Sequence, residues 1–244
     1  MSTSITEPAH KPAPPRALPP LESGDRLTRD EFERRYEAMP DLKKAELVEG
    51  VVYLPSPVRS NVHAAPHADL IGWLGFYRSG APGLTVSVAA TVRVDADNEV
   101  QPDALLMIDR PGGQAEIDDE DYVAGAPEFV AEISASSASI DLNAKFEVYR
   151  RNGVREYLVW RTFDHEIDWF VLRGVTFERL PPDGAGLLRS EVFPGLWLDP
   201  AALLRGDLAG VLKHLQDGMA TPEHAAFVAK LRPATQAAAN IVRS

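Results

Sequence analysis

The chain has no cysteine. Disulfides, thiolate nucleophiles, zinc–cysteine centres and iron–sulfur clusters are therefore excluded, and the absence fits a reducing cytoplasm. No apolar run approaches the ~20 residues that a membrane-spanning helix needs. The opening MSTSITEPAHKPAPPRALPP has no apolar signal core, which predicts a cytoplasmic protein with no membrane partner. Positive charge is also scarce: 25 Lys and Arg stand against 36 Asp and Glu, for a net charge of −11. Such a surface repels phosphate backbones on average, so nucleic acid has to be met through a local basic strip or a metal ion. The chain lacks G-x-x-x-x-G-K-[ST], G-x-G-x-x-G and G-x-S-x-G, which removes P-loop, dinucleotide-binding and serine-hydrolase readings. The run Ser134, Ser136, Ser137, Ser139 has no nearby histidine and reads as turn and cap hydroxyls.

What remains is an ordinary globular composition, with 45% apolar and 25% charged residues over 244 positions, enough for a sizeable core. Residues 1–24 carry Pro8, Pro12, Pro14, Pro15, Pro19 and Pro20 and read as a disordered leader. Thr28 and Glu31 form a T-x-x-E box that opens a helix running to about Met39. AELVEGVVYLP reads as a hairpin turning at Glu49-Gly50. Residues 61–79 have helical periodicity, with Pro66 either starting that helix or distorting its first turn.

LTVSVAATVRVD and VQPDALLMID read as two strands around a turn at 95–98, and 110–127 as an acidic surface loop. PEFVAEIS is a buried strand. Asp141 is expected to cap a helix carrying Lys145 and Tyr149. REYLVW, EIDWFVLRG, VTFERL and SEVFPGLWLD are further strands, followed by a helix AALLRGDLAGVLKHLQ and an Ala-rich tail. The order predicts a mixed α/β (α+β) domain with one central mixed sheet flanked by helices.

Two carboxylates stand where apolar side chains belong. Asp103 follows Pro102 and opens DALLMI; Glu132 interrupts FVAEIS, sharing a strand face with Val130 and Ser134. A charge in so apolar a strand is costly unless it is paired or metal-bound. On neighbouring strands the two would repel, and a divalent cation relieves that. Hard oxygen ligands suit Mg2+ or Mn2+. Lys145 lies four residues from both Asp141 and Tyr149 on one helical stripe, and can reach the same point to orient or deprotonate water. The same residues also read without catalysis: Glu132 and Lys145 as a buried ion pair, Asp103 as a turn cap. His63 and His67 lack the glutamate of a helical metal motif. They read as solvated side chains or as support behind a site.

AELVEGVVYLPSP, His63, VQPDALLMID, PEFVAEIS, Asp141-x-x-x-Lys145-x-x-x-Tyr149, GVREYLVW and VFPGLWLD, in that order, resemble the Uma-two family of putative restriction endonucleases, a branch of the PD-(D/E)XK nuclease superfamily. The resemblance covers about residues 25–205, with 206–244 as a helical, partly disordered extension. It implies a restriction-endonuclease-like fold and a metal-dependent endonuclease acting on DNA. It makes Asp103 and Glu132 the metal carboxylates and Lys145 the catalytic lysine. Ser134 stands at the superfamily's usual lysine position. Glu46 is implied as a further acidic group at the metal. Two alternatives stay open: a catalytically silent scaffold for binding or assembly, and a metal hydrolase of small phosphate esters. A homodimer is expected, because a strand such as EIDWFVLRG needs covering and paired subunits suit double-strand cleavage.

Overall fold

The computed structural model describes residues 18–55, 59–109, 113–135 and 137–231. The leader up to residue 17, residues 56–58, residues 110–112 at the start of the stretch read as an acidic loop, Ser136 and the tail from residue 232 lie outside the described residues.

The first helix, α1 (Arg29–Glu37), begins where the T-x-x-E box predicts, with Thr28 Oγ accepting from Glu31 N–H. The Glu31 carboxylate does not close the box. It pairs with Arg34 and Arg35 instead. Strands β1 (Glu46–Val48) and β2 (Val51–Tyr53) form the expected hairpin, and positive φ at both Glu49 and Gly50 marks a primed two-residue turn. Residues 60–64 form a π turn that runs directly into α2 (Ala65–Gly80). Pro66 has no N–H to offer, so the preceding turn widens, and Ala64 N–H reaches back five residues to the Arg59 carbonyl.

The run 84–108 is one antiparallel hairpin bent in the middle. Its outer half is β3 (Leu84–Val88) with β6 (Ala104–Ile108); its tip is β4 (Val92–Asp95) with β5 (Asn98–Val100). Register carries through the bend, with Val88 opposite Ala104 and Val92 opposite Val100. The two halves nevertheless belong to different sheets. Ala89, at φ 49°, and Pro102, with no N–H for a ladder, stand at the bend. The acidic stretch read as a loop instead folds in part as a short hairpin, β7 (Ala115–Ile117) and β8 (Val123–Gly125).

Beyond it come β9 (Phe129–Ser134), α3 (Ala138–Asp141), α4 (Ala144–Arg151), β10 (Glu156–Arg161), β11 (Glu166–Arg173) and β12 (Thr176–Arg179). Two-residue strands β13 (Leu188–Arg189) and β14 (Trp197–Leu198) precede α5 (Pro200–Leu204), α6 (Leu208–Met219) and α7 (Pro222–Leu231). The single helix expected after residue 200 is divided by Gly206 at φ 74°, and Asp207 caps its second half by accepting from Gly210 N–H.

The mixed α/β class holds, with twelve strands in two six-stranded mixed sheets rather than one, and β13 and β14 paired apart from both. One sheet runs β2-β1-β5-β4-β8-β7 and the other β12-β11-β10-β9-β6-β3. The β11 strand is hydrogen-bonded on both sides, so it needs no partner chain to cover it; β12 and β3 are the edges of that sheet.

Alternation along the strands sets the layers. Leu47 and Val52 pack against Phe32 of α1, together with Leu21. Val48, Val92 and Val100 face inward onto α4 and onto Leu105, Val130, Tyr157 and Val159 of the second sheet. Phe129, Ala131 and Ile133 face the opposite way, onto Trp73 of α2 and onto α5, α6 and α7. The helix α4 is thus held between the two sheets, where Lys145, Val148 and Tyr149 are all buried. Among the described residues, no helix is long and apolar enough to cross a membrane.

Candidate active site

The ladder between β6 and β9 ends at Ala104 opposite Ala131. One step further, Asp103 and Glu132 bond across the gap with their side chains. Asp103 N–H faces Glu132 Oε2 at 3.4 Å, and Asp103 Oδ2 accepts from Ile133 N–H at 2.7 Å. The carboxylates therefore take over where main-chain pairing stops. The adjacency expected from the apolar-strand argument is present.

Lys145 reaches the same place from α4. Its Nζ is 2.8 Å from Glu46 Oε1, 2.9 Å from Glu132 Oε1 and 3.8 Å from Asp141 Oδ1. Glu46 lies in the first sheet, where its Oε1 also accepts from Gln101 N–H. Tyr149 donates its hydroxyl to Glu132 Oε1 at 3.1 Å. All four predicted residues, Glu46, Asp103, Glu132 and Lys145, lie within this one network and are nearly sealed from solvent.

Asp141 differs from expectation. It ends α3 and does not cap the helix that carries Lys145; Asn143 holds that position. Its Oδ2 accepts hydroxyls from Ser134 and Ser137 at 2.5 and 2.6 Å. Ser134 and Ser137 thus tether a carboxylate whose Oδ1 lies 3.8 Å from Lys145 Nζ.

Charge in this pocket is unbalanced: it holds four buried carboxylates and one buried ammonium, which pairs with three of them. Burial pushes Glu132 up to about 8, and Asp141, Asp103 and Glu46 add repulsion that Lys145 only partly offsets. Burial likewise raises Asp141, against Lys145 and the two serine hydroxyls. Glu46 is held low in spite of its burial, by the charges of Lys145 and Lys44. Asp103 is also held low against burial, by the His63 hydrogen bond, the charge of Lys44 and the Ile133 N–H. The surrounding acids hold Lys145 charged well above its usual range, although burial works the other way.

One contributor, Lys44, escaped the sequence reading, and three others were placed without their partners. Lys44 is bonded to the Gln101 carbonyl, and its charge acts on both Glu46 and Asp103. Its position two residues before Glu46 was the available signal. Tyr149 was placed on the right stripe without a partner. His63 and His67 both touch residue 103.

Among the described residues, no three His, Asp or Glu side chains are arranged to hold a metal ion by themselves. Two adjacent hard-oxygen carboxylates in a pocket of surplus negative charge do fit a cation that keeps several of its waters, as Mg2+ does. An all-protein cage does not fit.

A nuclease-like core is the class that this arrangement of bent hairpin, central strand and acid–lysine pocket defines, and solved structures agree on the fold. Four chains of known structure match. One is a "putative nuclease belonging to DUF820 from Anabaena variabilis ATCC 29413", superposing with a TM-score of 0.56 at 16% identity over 73% of this chain and 98% of that one. The chain belongs to the Uma2 family, described as "Putative restriction endonuclease", which matches residues 29–201. No curated protein matches it.

Proposed function

We propose that this protein is a metal-dependent endonuclease that hydrolyses phosphodiester bonds in DNA. Asp103 and Glu132 would hold Mg2+ or Mn2+, and Glu46 would add a third acidic group beside them. The observation that carries this reading is the meeting of Asp103, Glu132, Glu46 and Lys145, from four separate stretches of chain, at one buried point of excess negative charge. A dication bound there supplies Lewis acidity to the phosphorus centre and favours deprotonation of water. Lys145, kept as an ammonium by its three acidic neighbours, orients the attacking water and stabilises negative charge growing on the phosphate. A charged lysine is a poor base, so its part is to orient and to stabilise, not to abstract a proton. Tyr149 and Glu46 fix the ammonium and the Glu132 carboxylate against rotation.

Purified protein with Mg2+ or Mn2+ is expected to nick or cut duplex DNA, and Asp103→Ala or Lys145→Ala to abolish it. Failure of the wild type to cleave DNA or RNA with any divalent metal overturns the proposal. Cleavage of RNA alone would correct the substrate. A homodimer joined at an edge strand, β12 or β3, would place two such sites on one duplex, and mass in solution at micromolar concentration tests it.

A second reading, a silent nuclease-like scaffold, is favoured by one observation. Arg93, Arg151, Arg161, Arg173, Arg179 and Arg189 are each bridged to carboxylates, which leaves them poorly placed to meet phosphate. Calorimetric titration with Mn2+ separates the two. The scaffold predicts no binding.

A further inference from the structure

Residue 103 is held at more points than the proposed chemistry uses. Its carbonyl accepts from Ala89 N–H at 3.3 Å and lies 2.8 Å from His67 Nε2. Its Oδ2 accepts from Ile133 N–H at 2.7 Å and lies 3.4 Å from His63 Nε2. Its own N–H faces Glu132. Two of these five contacts come from histidines, His63 in the π turn ahead of α2 and His67 in its first turn, whose rings meet edge-on with centroids 5.9 Å apart.

The chemistry of each contact fixes a proton. A carbonyl can only accept, so His67 carries hydrogen on Nε2. His63 Nδ1 is buried and has no hydrogen-bond partner among the described residues. Hydrogen on Nδ1 would be an unmet buried donor facing no acceptor, whereas hydrogen on Nε2 points at the Asp103 carboxylate. With Nδ1 closed off and Nε2 turned to Asp103, His63 has no free nitrogen for substrate. It acts through Asp103. The local backbone fits this purpose: the π turn over 60–64 carries His63 directly ahead of α2, and such turns are frequent at functional sites.

We propose that His63 and His67 are positioning residues, a two-point clamp in which His67 fixes the main chain of residue 103 and His63 fixes its carboxylate. With Oδ2 committed to Ile133 and His63, Oδ1 is left without a bond among the described residues. The inference rests on Asp103 being a cation-holding carboxylate, and it assigns the H-A-A-P-H motif to support of that ligand, not to metal binding of its own.

The test uses the full chain with His63→Gln, whose amide nitrogen approaches the Nε2 position, and His63→Asn, whose amide nitrogen approaches Nδ1. Circular dichroism checks that each variant folds. In the metal-free protein, the imidazole 15N spectrum is expected to show His63 as the Nε2–H tautomer, with that proton's signal displaced in Asp103→Ala. In Mn2+ calorimetry, His63→Asn is expected to weaken binding about 10–100-fold, as loss of a ligand's supporting partner does, with His63→Gln recovering most of it. An Nδ1–H tautomer, a signal indifferent to Asp103→Ala, or equal affinities for the two variants overturns the clamp. Direct 15N-histidine coupling to bound Mn2+ overturns it as well, in favour of ligation. If the wild type binds no Mn2+, the nuclease reading fails, while the tautomer and its response to Asp103→Ala still decide the clamp.

Discussion

Glu132 and Glu156 sit on adjacent strands of one sheet, both almost fully enclosed, and on opposite faces of it. Glu156 is satisfied by neutral donors. Its oxygens accept from the Ser190 hydroxyl and from Glu191 and Val192 N–H, so one carboxylate pins the loop that carries those residues. Burial raises it to about 7, and those three donors moderate the rise. Glu132 shares one ammonium with two other acids, Glu46 and Asp141, and its own Oε2 has only the long contact with Asp103 N–H. The first arrangement is a finished structural joint. The second carries unspent negative charge. Buried carboxylates therefore differ by what remains unsatisfied, and this protein concentrates the unsatisfied ones at one point.

The sharpest way to break this contrast is to remove the shared cation. Lys145→Met leaves the acids unpaired and is expected to cost about 3–5 kcal/mol in urea denaturation, while cleavage is lost. The cost should be smaller at pH 5 than at pH 8, because protonation then relieves the carboxylates. Glu156→Gln is expected to cost about 1–3 kcal/mol, since one oxygen acceptor is replaced by an amide donor facing N–H groups, with Mn2+ affinity and cleavage unchanged.

A third test follows the sign of the Glu132 shift. Its folded value of about 8 lies above the ordinary carboxylate value of 4.5. The stability it confers is complete below the unfolded value and is lost as pH rises through the folded one. Glu132→Gln should therefore gain in melting temperature relative to wild type between about pH 5 and 8, then keep a constant difference above that. The smallest effect expected is that of Tyr149→Phe, about 1 kcal/mol, with Mn2+ binding retained.

Glu132 was legible in the sequence because a charge inside FVAEIS contradicts everything around it, and Asp103 because Pro102 marks a strand start. The alternation of β9 put Val130, Glu132 and Ser134 on one face, and they do face α4. Lys145 was legible from its four-residue spacing to Asp141 and Tyr149, although a break between α3 and α4 interrupts that stripe. The bend at Ala89 was not legible. LTVSVAATVRVD contains neither glycine nor proline, and the left-handed alanine is imposed by tertiary pairing with β6. Residues 110–127 were misread because their acidic, Gly- and Pro-rich composition outweighs three-residue strands. The two histidines were set aside as metal ligands because H-A-A-P-H lacks the motif's glutamate; their contacts with residue 103 depend on the bend that brings that residue to α2, which the sequence does not show.

The bent hairpin ties the pocket to the relation between the two sheets. Glu46 arrives with one sheet, Glu132 with the other, and Asp103 from the crossing itself. A chain that has formed each sheet but not yet brought them together holds scattered, hydrated acids with nothing to concentrate them. The pocket therefore exists only where the two halves are docked, and a change that separates the sheets takes Glu46 away from Glu132 and Lys145 without touching any of the three.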